Sequence, residues 1–238
     1  MTIKTAMLLA AGLGTRMRPL TNNRPKPLIE VAGRSLIDYT LDNLVAAGVE
    51  RAVINVHYLA DMMEEHLIKR TDVEVIISDE REELLETGGG VVKALPHLGK
   101  DPVFVCNTDA FWAPDNGETL TCMAHEYDPA RMDFLLLLAR IENSLGYHGA
   151  GDFYLDEDNV LVRRGVRKTA PYVFAGVYVM RPQLVENLKV EPFSANVYWN
   201  TAHTYKRLFG EVMSPFWMHV GDPAARDDAE AHLRAETS

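Results

Sequence analysis

Short apolar runs alternate with helix-spaced apolar positions through the first half of this chain, and the alternation predicts strands and helices in turn. The runs are Thr5 to Ala10, Arg51 to Val56, Val73 to Ser78 and Pro102 to Cys106. Between them Leu36, Leu41, Leu44 and Val45 recur at helical spacing and stop before Gly48, and Met62, Met63, His66 and Leu67 repeat the pattern. A third, short helix is expected over Gly90 to Leu95. Strand, helix, strand in this order is the signature of an α/β fold: a mainly parallel sheet with helices on both faces, in three α/β/α layers.

The second half is less regular. Asp133 to Ala139 and Val173 to Met180 are apolar runs long enough for central strands. From Leu145 to Thr169 the segments G-Y-H-G-A-G-D-F-Y-L, D-E-D-N and R-R-G-V-R-K predict short strands and turns, an insertion over a site. Leu184 to Leu188 and Asn196 to Phe209 read as helical, Glu211 to Met218 as extended, and Ala224 to Ala235 as a closing polar helix. No repeat, low-complexity tract or linker interrupts this order, so a single domain is expected.

Composition narrows the choice of partner. The 238 residues, 47% of them hydrophobic, can bury a sizeable core. Asp plus Glu number 34 against 24 Lys plus Arg, a formal charge of −10 that argues against nucleic acid or an anionic membrane as the partner. No stretch approaches the ~20 apolar residues of a membrane span, and the run after Lys4 is too short for a signal peptide. Cys106 and Cys122 stand alone without a C-x-x-C, so neither a disulfide framework nor a zinc ribbon is indicated and a cytoplasmic location is expected.

Against that acidic background the stretch Ala10 to Pro27, A-A-G-L-G-T-R-M-R-P-L-T-N-N-R-P-K-P, carries a local surplus of positive charge. Gly12 and Gly14 allow a tight turn after the first strand, and Arg16, Arg18, Arg24 and Lys26 supply cations for phosphate. Ligands of α/β sheets sit beyond the carboxyl ends of the strands, where this turn falls. The dinucleotide fingerprint fails because Met17 stands where a third small residue belongs, and Gly14-Thr15-Arg16 lacks the Gly-Lys-Ser/Thr of the ATPase loop. A plain structural turn is the alternative; Pro19, Pro25 and Pro27 weigh against a generic solvated helix face.

Two further segments carry chemistry. Asn107-Thr108-Asp109 follows an apolar strand directly, and an Asp there either caps a turn or holds a hard divalent cation bridging phosphate oxygens. Glu86-Thr87-Gly88-Gly89-Gly90 precedes a helical pattern; it is either a helix N-terminus capped by Thr87 or bare backbone for a flat nucleobase.

Together, L-L-A-A-G-L-G-T-R-M-R-P-L-T, R-P-K-P-L and N-T-D resemble the sugar-1-phosphate nucleotidyltransferases, densely through residue 110 and more thinly beyond it. Within that family E-T-G-G-G-V-V-K-A-L-P and H-G-A-G-D-F resemble members that transfer UMP from UTP to N-acetylmuramic acid 1-phosphate in cell-wall recycling. The resemblance implies the Rossmann-like nucleotide-diphospho-sugar transferase fold, with residues 1–110 as a nucleotide-binding half and 111–238 as a sugar-binding half. It implies that Ala10, Ala11 and Gly12 meet base and ribose through backbone atoms, and that Gly88 completes the base pocket. Gly14, Thr15 and Arg16 would cradle the triphosphate, with Arg16 on the departing pyrophosphate and Lys26 on the reacting phosphates. Asn107, Gly151 and Asp152 would touch the sugar, and Asp109 would hold Mg²⁺.

The chain departs from the family in two places. His219 stands where the family carries a second metal-binding Asp, which shifts the expected cation toward Mn²⁺ or Co²⁺ unless Asp222 reaches back instead. The family's E-K-P segment is missing between Asp152 and Val173, and Arg163, Arg164, Arg167 or Lys168 either replaces its charge or forms a solvated turn. A thymidylyl-, guanylyl- or cytidylyltransferase on another sugar or alcohol phosphate, or a nucleotide-sugar-binding protein without turnover, would share the same loop.

Overall fold

A computed structural model describes residues 1–236 of the chain; the last two residues of the expected sugar-binding half, 237 and 238, lie outside the described residues. The first half runs β1 (Thr5–Leu9), a hairpin of β2 (Glu30–Val31) and β3 (Arg34–Ser35), α1 (Leu36–Ala46), β4 (Arg51–Val56), α2 (Ala60–Leu67), β5 (Glu74–Asp79), α3 (Glu86–Leu98) and β6 (Val103–Asn107). β4 falls on the predicted residues, whereas β5 and β6 lie one residue further on because polar Asp79 and Asn107 stay in the ladder. β6, β1, β4 and β5 are neighbours in that order and all parallel, as the alternating pattern predicts. α1 begins at a side-chain cap, Ser35 Oγ accepting from Asp38 N at 3.3 Å.

Side-chain alternation along β1 divides the interior into two layers. Ala6 and Leu8 join α1, α2 and α4 (Glu118–Glu126) on one face, and Met7 joins α3 and α5 (Asn196–Thr204) on the other. Both Met7 and Leu8 are fully buried, each burial contributing about 1.5–3 kcal/mol. The expected α/β/α layering is therefore present.

The second half brings further strands, some extending the same sheet and some forming a second one. In chain order these are β7 (Ala110–Trp112), β8 (Phe134–Arg140), β9 (Ser144–Leu145), β10 (Phe153–Leu155), β11 (Leu161–Arg163), β12 (Tyr172–Met180), β13 (Leu208–Val212) and β14 (Trp217–His219), closed by α6 (Pro223–Glu236). β12 pairs antiparallel with β6 and β8, making a mixed nine-stranded sheet. A register shift between Phe174 and Tyr178 lets β12 run past the end of β6, where β10 and β11 attach. β7, β14 and β9 form a separate small sheet beside it.

Three expectations are corrected and one helix is added. The third helix is not the short Gly90 to Leu95 segment but the thirteen residues Glu86–Leu98, so the three glycines lie inside it. α4 is an added helix; it follows Gly117 in the left-handed region, and its first turn is capped from two residues upstream of that glycine, Asp115 Oδ2 accepting from Thr119 N at 2.9 Å. The helix expected over Asn196 to Phe209 stops at Thr204, because Lys206 takes φ 53° and Leu208 then pairs with β8. The expected Leu184 to Leu188 helix is a single 3-10 turn over Pro182–Val185.

Candidate active site

Leu9, at the end of β1, is in register with Asn55 on β4 and Asn107 on β6, so three chain segments reach the carboxyl edge of the sheet together. The backbone leaving β1 is held from below: Asn55 Oδ1 accepts from Ala10 N at 2.6 Å and from Ala11 N at 3.2 Å. Asn55 Nδ2 in turn donates to Glu80 Oε1 at 2.7 Å, and Leu85 N donates to Glu80 Oε2 at 3.1 Å. Burial of Glu80 raises its pKa, against the lowering effect of these two donors. This buried network joins the turn after β1 to the start of α3.

Gly14 turns with φ 61°, and its carbonyl accepts from Met17 N and from Thr21 Oγ1 at 2.8 Å. Gly12 takes no such conformation; the space a Cβ would occupy is open, so its use is bareness rather than a turn. Thr15 and Arg16 are exposed on the 3-10 turn that follows, and neither Arg16 nor Arg18 forms an ion pair among the described residues. A cavity of about 440 Å³ opens beside this turn, walled by Ala10, Ala11, Gly12, Lys26, Asn107 and Asp109, with Thr87 and Ser194 opposite.

The floor of that cavity carries charge. Pro25 starts a 3-10 turn that aims Lys26 at Asp109, Nζ to Oδ2 2.9 Å, with only 13% of the lysine side chain exposed. The small sheet brings the third member: His219 on β14 is in register with Ala110, and Val220 N donates to Asp109 O at 2.8 Å. His219 Nε2 lies 3.7 Å from Asp109 Oδ2, while its Nδ1 is 3.3 Å from the Gly146 carbonyl. With Nε2–H facing Asp109 the ring supports the carboxylate charge; a cation between the two would instead need the Nε2 lone pair, with the ring proton on Nδ1 donated to that carbonyl. Burial pushes the Asp109 pKa upward, but His219 and Lys26 outweigh it and hold the carboxyl well below the usual range.

Among the described residues no group of three or more His, Cys, Asp or Glu could hold a metal ion. One carboxylate and one imidazole remain, a donor set that fits a divalent cation completed by phosphate oxygens and water. Asp222 is not brought to them; its Oδ1 caps α6 by accepting from Ala225 N at 2.9 Å.

Gly88 also lies elsewhere than on the cavity wall. Its N–H donates to Phe193 O at 2.8 Å, and a Cβ there would stand 2.3 Å from the Phe193 ring. Thr87 does not cap the helix; its Oγ1 accepts from Ala195 N at 2.9 Å, tying α3 to the segment before α5. Gly151 and Asp152 line a second cavity of about 370 Å³ together with Arg163, Arg164, Asn196 and Trp199. Arg167 instead stacks over Tyr154, 4.8 Å from the ring centroid. Asn55, Glu80 and Ser194 were not singled out by the sequence pattern; a polar residue inside an apolar strand, as at Asn55, was the one signal available.

A glycine turn over a lysine–carboxylate pair at the carboxyl edge of a mixed sheet defines a phosphate-handling enzyme site. The sequence profile of the nucleotidyl transferase family matches residues 5–235, and the chain belongs to that family. It is 48% identical over 234 residues to the N-acetylmuramate alpha-1-phosphate uridylyltransferase of Caulobacter vibrioides, covering 97% of each chain. With the like-named protein of Neisseria meningitidis serogroup B it shares 34% over 230 residues, 95% of this chain and 96% of that one. The fold matches that of the inositol-1-phosphate CTP transferase from T. maritima, with TM-score 0.77 at 20% identity over 98% of this chain and 97% of that one.

Proposed function

We propose that this chain transfers the uridylyl group of UTP to N-acetylmuramic acid 1-phosphate and releases pyrophosphate. The observation that carries the reading is the Lys26–Asp109 pair, 2.9 Å apart beneath the glycine turn, in a chain 48% identical along its length to a uridylyltransferase of that name. An oxygen of the sugar phosphate attacks the α-phosphorus in line, the bond to the bridging oxygen of the β-phosphate breaks, and pyrophosphate leaves with that oxygen. A phosphate monoester is already nucleophilic at neutral pH, so the site needs positioning and charge compensation rather than a general base.

Each residue has a part in that task. Ala10, Ala11 and Gly12 receive base and ribose along the cavity wall, the first two fixed by Asn55. Arg16, exposed and unpaired on its turn, meets the departing pyrophosphate, and Lys26 binds the reacting phosphates. Asp109 and His219 would hold a divalent cation, which would offset the negative charge of the reacting phosphates. Asn107 and Asp152 stand where the two cavities receive the sugar.

Pyrophosphate release from five nucleoside triphosphates, several sugar 1-phosphates and both Mg²⁺ and Mn²⁺ tests the reading. UTP with N-acetylmuramic acid 1-phosphate is expected to give the highest kcat/KM. Preference for another pair overturns the assignment of base or sugar, and tight nucleotide binding without turnover overturns the enzyme.

A further inference from the structure

The second cavity is lined by two arginines and a single carboxylate, Asp152, so its wall carries a surplus of positive charge. Arg163 donates from Nη2 to the Asn196 amide oxygen at 3.1 Å and lies over the Phe153 ring, 5.5 Å from its centroid. Arg164 donates only to backbone carbonyls, those of Gly151 at 2.8 Å and Arg167 at 3.0 Å. Neither forms an ion pair among the described residues, and the one carboxylate in the wall, Asp152, accepts from Phe174 N at 3.0 Å. Two buried donors in the same wall, Arg163 Nε and Trp199 Nε1, have no hydrogen-bond partner, and Trp199 is only 6% exposed. Native proteins pair most such groups, so an unsatisfied pair beside two guanidiniums that form no ion pair points to an anionic ligand.

The position of the cavity says which part of the substrate that anion belongs to. Phe174 lies on the stretch of β12 that runs past the end of β6, at the sheet edge where Asn107 and Asp109 emerge. Ser194 lines the first cavity and Asn196 the second, and Asn196 Nδ2 donates to Ser194 Oγ at 3.2 Å, so the two cavities share a wall. The reacting phosphates belong to Lys26 in the first cavity. A second anionic group at the far end of the sugar would reach Arg163.

We propose that Arg163 is a specificity-determining residue, its guanidinium binding a carboxylate carried on the sugar ring of the sugar 1-phosphate. The proposal rests on the functional reading above and deepens it: a lactyl ether carboxylate is what distinguishes N-acetylmuramic acid from N-acetylglucosamine. Asp152 sits beside it to accept from a sugar hydroxyl. Planar, two-pronged pairing with a carboxylate is the geometry that guanidinium supplies and ammonium does not. Burial lowers the pKa of Arg163, against the pull of Asp152, consistent with a cation short of a partner.

The test compares kcat/KM for N-acetylmuramic acid 1-phosphate and N-acetylglucosamine 1-phosphate in the wild type, Arg163→Met, Arg163→Lys and Asn196→Asp. Calorimetric binding of UDP-N-acetylmuramate against UDP-N-acetylglucosamine gives the same ratio without turnover. Arg163→Met is expected to lose about 10- to 100-fold on the carboxylated substrate alone, the range for a charge-assisted hydrogen bond. Arg163→Lys retains part of the preference. Asn196→Asp lowers it by giving Arg163 an internal carboxylate at an exposed helix start, where an acid is tolerated. Equal losses on both substrates would assign Arg163 to phosphate or to folding and overturn the proposal, as would an unchanged ratio. A wild type that neither turns over nor binds the muramate compounds overturns the functional reading, and the subsite with it.

Discussion

Replacing Asn55 by Ala removes the side chain that holds the Ala10 and Ala11 amides after β1. The residue is 2% exposed and makes three hydrogen bonds, to Ala10 N, Ala11 N and Glu80 Oε1. Each buried group left without a partner costs about 1–3 kcal/mol. The adjoining cavity admits water to Ala10 and Ala11, which places the total near the lower end, about 3 kcal/mol. For a chain of this size that corresponds to a fall in Tm of roughly 6–12 °C. Thermal melts followed by circular dichroism read the stability. Steady-state kinetics are expected to show a raised KM for the nucleotide, because Ala10 to Gly12 form the wall proposed to receive it. Asn55→Asp sets a second carboxylate against Glu80 and is expected to lose more stability at pH 7 than at pH 5. A Tm within about 2 °C of the wild type together with an unchanged nucleotide KM would refute the assigned positioning role.

Other outcomes test the remaining parts of the site. Asp109→Ala should reduce turnover by at least about 100-fold while the protein stays folded; retained metal-dependent activity would remove Asp109 from the site. His219→Asp should raise the ratio of Mg²⁺-supported to Mn²⁺-supported activity, and an unchanged ratio would show that residue 219 does not touch the cation. Glu80 has a folded-state pKa above its ordinary 4.5, so the native state holds the proton more tightly above that pH. Its contribution to stability therefore falls as pH rises from 4.5 through the folded pKa, and urea titrations should show that decline flattened in Glu80→Gln. Gly89→Ala should cost roughly 3 kcal/mol or more, since its Cβ would stand 2.1 Å from the Glu191 carbonyl oxygen; a native melting curve would contradict the close packing.

How far the sequence discloses this structure depends on whether the deciding contact is local. β1 and β4 are buried on both faces, so their mainly apolar runs identify them directly. α5 and β13 are both rich in apolar residues, and the boundary between them is one residue, Lys206 at φ 53°, which no periodicity marks. Lys26, Asp109 and His219 are legible because each lies in a short segment that resembles the family, and they meet although 83 and 110 positions separate neighbours in the trio. Asn55 and Glu80 are hard to read for the opposite reason: Asn55 is one polar residue in an apolar strand, Glu80 one of several charged residues after β5, and only the fold pairs them. The basic turn could be noticed but not divided; only the packed structure puts Arg163 and Arg164 on a cavity and Arg167 on a tyrosine face.

The glycines at 88 to 90 invite a reading as flexible backbone, and their surroundings make them the opposite. The nearest obstacle to a side chain at Gly89 is the main-chain oxygen of Glu191, and the Phe193 carbonyl would lie 2.9 Å from a Cβ at Gly88 even with the aromatic ring gone. Every amino acid at 191 or 193 presents that same oxygen. No compensating substitution across the seam can therefore rescue a larger residue at 89, whereas at Gly90 the obstacles are the side chains of Asn55 and Glu80, which exchange can remove. Suppressor selections starting from Gly89→Ala should return true revertants or changes that move the whole 191–194 segment, and selections from Gly90→Ala should return partners at 55 and 80.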